Sequence, residues 1–126
     1  MNTQTAKAGV EQNRWKDYLT DFSRRNENRP ARLEILGDEI GASEEGQHLP
    51  FIMASYEEKG SEAGNALISL GGTGGADARQ LTHTISEVTS ITPQIGDDGR
   101  DAALEIAGAD GTKAILIFEQ PLQIGA

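Results

Sequence analysis

Residues 101–119 read DAALEIAGADGTKAILIFE, two short apolar runs on either side of Gly108-Ala109-Asp110-Gly111. Leu104 and Ile106 alternate with small or charged neighbours, and Ile115, Leu116, Ile117 and Phe118 follow the break. Asp-Gly between two such runs is hairpin chemistry, because glycine accepts the positive φ of a tight turn. The stretch therefore predicts antiparallel strands at 102–107 and 112–119.

Working back from the hairpin, the chain after Pro30 keeps the same grammar of short apolar runs punctuated by Gly, Asn, Asp and Pro. It predicts further strands at 31–36, 50–57, 65–70, 81–85 and 88–92. The run LTHTISEVTSI, residues 81–91, contains a change of phase. Leu81, His83 and Ile85 share one face at a spacing of two, yet Val88 and Ile91 arrive at steps of three. A bulge or break near Ser86-Glu87 is expected, of the kind that lets a short sheet bend sharply.

Before Pro30 the pattern is helical. Trp15, Tyr18, Leu19 and Phe22 fall at i, i+3, i+4 and i+7, a stripe about 100° wide on a helix. Residues 11–27 predict an amphipathic helix with one buried face, closed by Pro30 because a proline excludes its predecessor from helical backbone. Arg24 and Arg25 suit the negative end of the helix dipole. The domain plan is a polar tail at 1–10, a single helix-plus-sheet domain at 11–120 and a tail at 121–126. The fold class is α+β, mostly β: an N-terminal amphipathic helix packed on an antiparallel meander or a partly closed small barrel, in an SH3-like or Sm-like layout, with a C-terminal β-hairpin.

Composition narrows the function. The 126 residues carry 20 acidic and 11 basic side chains, a formal charge of −9, and no cysteine. Disulfides, thiolate zinc sites and thiol nucleophiles are excluded. The leading residues MNTQTAKAGV hold no apolar run of a signal segment, and nothing approaches the roughly 18 apolar residues of a membrane span. A cytoplasmic location is the expectation. The negative charge disfavours nucleic acid and membrane surfaces as partners.

That charge is uneven. Residues 1–32 hold seven basic and four acidic side chains, a balance of +3 that leaves −12 on the rest. The basic leading segment either packs on the acidic body or faces a protein partner through Arg24, Arg25 and Arg29. Binding of the second kind is expected to be salt-sensitive.

Candidate chemistry is sparse. The loop GGTGG follows the strand ALISL, and Gly71, Gly72, Gly74 and Gly75 could turn backbone N–H groups toward a phosphate. No Lys-Ser/Thr of a P-loop accompanies them, the G-x-G-x-x-G spacing fails, and another strand rather than a helix comes next. His83 reads as a half-buried core histidine, with a ligand or general-base role as the alternative; His48 reads as a loop residue. The two histidines have no zinc spacing, and Asp97-Asp98-Gly99-Arg100-Asp101 lacks the alternating carboxylates of a calcium loop. No serine lies in a G-x-S-x-G elbow. No catalytic residue, metal or cofactor is assigned.

The strings WKDYLTDFSRRNENRP, RLEILGDEIGASEEGQHLPF, LTHTISEVTSI and DDGRDAALEIAGADGTKAILIFE together resemble the small bacterial proteins of domain of unknown function family 5335. The resemblance spans about residues 15–119. It rests most on Phe22-Ser23, Leu36-Gly37, Gly41-Ala42, Leu49-Pro50, Thr82-His83-Thr84-Ile85 and Ala103-Leu104-Glu105-Ile106 with Asp110-Gly111. It implies a bacterial origin and a compact domain, and carries over no catalytic residue. A fainter likeness is to the bacterial Sm-like RNA chaperone, whose second motif is similar to His83-Thr84-Ile85-Ser86. Thr82 in place of a lysine, the added C-terminal hairpin and the negative charge depart from it, so no RNA contact is carried over.

The leading expectation is a small non-enzymatic protein-interaction module of undetermined oligomeric state. Its rivals are a small-ligand or phosphate-binding protein or enzyme using the Gly71 to Gly75 loop and His83, and an Sm-like RNA-binding ring.

Overall fold

A computed structural model describes residues 9–37, 41–71 and 80–119, with side chains described throughout except at 41–48. A 3-10 turn at Gln12–Arg14 leads into α1 (Trp15–Arg25). Seven strands follow: β1 (Pro30–Gly37), β2 (Gly41–Tyr56), β3 (Ala66–Gly71), β4 (Gln80–Ile85), β5 (Val88–Ile95), β6 (Asp101–Gly108) and β7 (Lys113–Phe118). Every pairing is antiparallel, in the spatial order β4-β3-β2-β1-β7-β6-β5. Two meanders, β1 to β4 and β5 to β7, are zipped together by β1 and β7 from Ala31↔Phe118 to Leu36↔Lys113. The result is the expected α+β, mostly β domain, with an open sheet rather than a closed barrel.

Strand β2 bends the sheet. Residues 41–50 pair with β1 and 51–56 with β3. Register shifts flank the changeover, between Ala31 and Leu33 on one side and Phe51 and Met53 on the other, which kinks the strand around Pro50. The sequence placed the start of this strand at 50, but GASEEGQH before it is strand as well. Glycine and charge disguise that half, since pairing with β1 requires only its backbone.

The phase change after Ile85 is a true break. Glu87 has φ 51°, a left-handed conformation that ends β4 and starts β5 in a new direction. Two turns hold it from either side. Asn65 Oδ1 accepts the Glu87 N–H at 3.1 Å and the Gly64 carbonyl accepts the Val88 N–H at 2.8 Å. From the β6–β7 turn, the Ala109 N–H donates to the Glu87 carbonyl at 2.9 Å. Glycine is required at 108, where a Cβ would stand 2.7 Å from the Ser86 carbonyl oxygen. The two edge strands thus meet at one corner, although they lie at opposite ends of the spatial order.

Helix α1 buries Trp15, Leu19 and Phe22, three of the four residues of the expected stripe, while Tyr18 stays half-exposed. Phe22, Phe51 and Phe118 form a ring cluster with centroids 5.6–5.7 Å apart. Burial of each ring contributes roughly 2–3 kcal/mol. Trp15 stands edge-on to Tyr56 at 5.2 Å. Ser23 fastens the helix to β2 by accepting the Ala54 N–H at 2.8 Å and donating to the Ala54 carbonyl at 2.9 Å. Pro30 does not end the helix; it opens β1. Asn26 ends it instead, with both its backbone N–H and its Nδ2 donating to the Phe22 carbonyl at 3.2 and 2.9 Å. Asn28 at φ 71° then reverses the chain.

The terminal hairpin forms as expected. Asp110 Oδ1 accepts the Thr112 N–H at 2.9 Å, and Gly111 takes φ 89°.

Candidate functional site

The basic end of α1 meets the β5–β6 turn. That turn is tight: Asp98 Oδ1 accepts the Arg100 N–H at 3.0 Å, Gly99 sits at φ 81°, and the Gly96 N–H donates to the Arg100 carbonyl at 2.7 Å. It delivers Asp101, the first residue of β6, to a position where its side chain is only 5 % exposed. Arg25 clamps this carboxylate with two bonds, Nε to Oδ2 at 2.7 Å and Nη2 to Oδ1 at 3.2 Å. Asn26 Nδ2 adds a third at 2.7 Å to Oδ2. Arg29 completes the cluster from behind, donating through Nη1 to Asn26 Oδ1 at 2.7 Å and to the Asp101 carbonyl at 2.9 Å. Its guanidinium lies 4.3 Å from the centroid of the Phe118 ring, a cation–π contact that anchors it on the aromatic core.

The electrostatics follow from this packing. Burial alone would raise the Asp101 pKa, but the hydrogen bonds from Arg25 and Asn26 and the charges of Arg25 and Arg29 outweigh it and hold the carboxyl below its ordinary value. Arg25 is raised in turn, chiefly by its bond to Asp101. Arg29 is lowered, first by burial and then by the charge of Arg100. Tyr18 is raised by burial and by the nearby Asp101 charge. The buried Asp101 carboxylate is thus held by the Arg25 and Asn26 side chains and by the charge of Arg29, while Arg29 also feels Arg100 and Asp98.

A cleft of about 420 Å³ opens beside the cluster, lined by Arg25, Asn26, Ile95, Gly99, Arg100 and Asp101. Ile95 is 56 % exposed, the more exposed of the two large hydrophobics, Ile95 and Met53, that stand out on the described surface. Guanidinium donors beside an apolar side chain suit a carboxylate followed by an apolar group. Among the described residues that line the cleft there is no pair of nucleophile and base.

Of the residues singled out in the sequence, Arg25 and Arg29 come together around Asp101. Arg24 points away, 75 % exposed and 3.5 Å from Asp21. His83 is half-buried on the inner face of β4, flanked by Leu81 and Ile85 and opposite Ile68 on β3. Gly71 ends β3 at φ 147°, three register positions from His83; Gly72, Gly74 and Gly75 lie outside the described residues. Among the described residues no group of three His, Asp or Glu could hold a metal ion. Asp101, Asn26 and Arg100 were not anticipated as a unit. The signal for them was the opposite charge of two short strings, RRNENR and DDGRD.

A family model described as "Family of unknown function (DUF5335)" matches residues 6–126. The chain belongs to this family. No curated protein and no solved structure matches it. The DUF5335 match takes in every element of the fold, from the 3-10 turn to β7. Two of the strings that carried the resemblance have clear physical work in this DUF5335 chain: Phe22-Ser23 docks α1 on β2, and Asp110-Gly111 closes the last hairpin. Among the described residues no helix is long and apolar enough to cross a membrane.

Proposed function

We propose that this chain is a small non-enzymatic bacterial interaction module that works in the cytoplasm and docks an acidic protein partner at the arginine-rich end of α1. The observation that supports it is the cleft itself, lined by Arg25 and Arg100 with Ile95 exposed beside them, and with Arg29 packed behind against the Asp101 carbonyl. Arg25 and Arg29 hold the cleft in shape. Arg100, which lines the cleft, supplies the outward charge. Docking through exposed charge weakens as salt screens it.

The test is affinity capture from native cells on the immobilised full chain. Partners captured at low salt are expected to be released at about 0.5 M salt, where screening acts within a few ångströms. They are also expected to be lost from the variant Arg100→Glu, whose melting temperature stays near that of the parent. Capture that withstands both salt and charge reversal would overturn the reading.

A further inference from the structure

An open sheet has two edges, and an edge strand offers unpaired N–H and C=O groups to any other strand. Strands β3, β4 and β5 carry no charged residue; β3 is internal, so β4 and β5 are the uncharged edges. On β5 the edge is guarded. Pro93 removes a donor, the register with β6 shifts between Val88 and Ser90 and between Gln94 and Ile95, and the Val10 N–H donates to the Ile91 carbonyl at 2.8 Å. On β4 none of these devices is present among the described residues. Its six residues run in unbroken one-to-one register with β3, from Ala66↔Ile85 to Gly71↔Gln80, without proline, lysine or bulge.

We infer that β4 is a self-docking edge, on which two copies of the chain pair strand to strand, antiparallel, about a two-fold axis at His83. The sequence QLTHTI is close to palindromic in that register. Thr82 comes opposite Thr84 of the second copy on the outer face, where both threonines are exposed, and such cross-strand threonine pairs are favourable. Leu81 comes opposite Ile85 of the second copy on the inner face, so the two apolar rows run on into one another. The contact is isologous and closes at two copies. Charge also selects this occupant. Each copy carries −9, so a seam between copies must keep carboxylates out, and β4 contains none. A seam of six residues buries well under the roughly 1,200 Å² of a stable interface, which makes the dimer a weak one.

This inference stands apart from the arginine cleft and is tested separately. Sedimentation equilibrium of the full chain, from about 10 µM to about 1 mM, covers the range expected of a small interface. The average mass is expected to climb toward twice the monomer value. Raising the salt should tighten association by screening like charge, the reverse of its effect on docking at the cleft. Thr82→Lys and Thr84→Lys, each at an exposed position, should weaken association at least tenfold while the melting temperature holds. Ile95→Lys, on the other edge, should leave it unchanged. A chain that stays monomeric throughout, association indifferent to both lysines, or equal loss on Ile95→Lys would each overturn the inference.

Discussion

The two ends of this sheet meet at one corner yet are finished differently. Strand β5 is broken in register, carries Pro93 and is overlain by the segment at Val10. That segment is tied back in turn, because the Trp15 indole N–H donates to the Val10 carbonyl at 2.8 Å. Strand β4 is regular and, among the described residues, carries no such device. An uncharged strand is therefore not in itself a hazard or a site; the difference lies in what the rest of the chain does to its outer edge. On β5 the helix end participates, since the Arg25–Asp101 clasp fixes α1 to the start of β6, the strand that pairs with β5.

The most damaging change is expected at the corner itself. Gly108→Val places a side chain where even a Cβ would meet the Ser86 carbonyl at 2.7 Å and Ile85 Cγ2 at 3.2 Å. Overpacking against backbone should cost about 3 kcal/mol, read as a lower denaturation midpoint, and should alter the corner from which both edges diverge.

Next comes the clasp. Arg25→Met leaves the Asp101 carboxylate buried with Asn26 as its remaining side-chain partner, a loss of about 2–4 kcal/mol. Asp101→Asn tests the same contact through pH. The folded-state pKa of Asp101 is depressed, so its contribution is whole above the ordinary carboxylate pKa and is lost as pH falls through the folded value. Unfolding by urea from pH 7 down to about 2 should show stability falling below about pH 4 in the parent, with a shallower fall in Asp101→Asn. Equal slopes would remove the clasp from the description of the β5 side.

A smaller effect is expected from unguarding β5. Pro93→Val restores a backbone donor on an edge strand and should change stability by less than about 1 kcal/mol, while increasing self-association through β5. The least effect belongs to Arg24→Gln. Its ion pair with Asp21 is 75 % and 67 % exposed on the two sides, so a change under about 0.5 kcal/mol is expected in thermal unfolding.

Much of the fold was legible because it is written locally. Alternation marks β6 and β7, Asp110-Gly111 marks their turn, and the loss of phase at Ser86-Glu87 marks the corner. The first half of β2 was hidden, since Glu44, Glu45 and two glycines look like loop to any rule based on burial. The end of α1 was misplaced onto Pro30 because the capping bonds of Asn26 reach both back to Phe22 and across the fold to Asp101. The site was half legible. Arg25 and Arg29 stood out by charge, but their joining to Asp101 spans more than seventy residues of sequence, and no local pattern encodes such a pairing. Edge status is likewise invisible in the string QLTHTI; it follows from the strand order alone.

The direct measurement is amide hydrogen exchange along β4 and β5 as protein concentration rises. The contrast between the edges requires that protection of 81–85 grow with concentration while that of 88–95 stays constant. Growth confined to β5, or no growth on either strand, would contradict it.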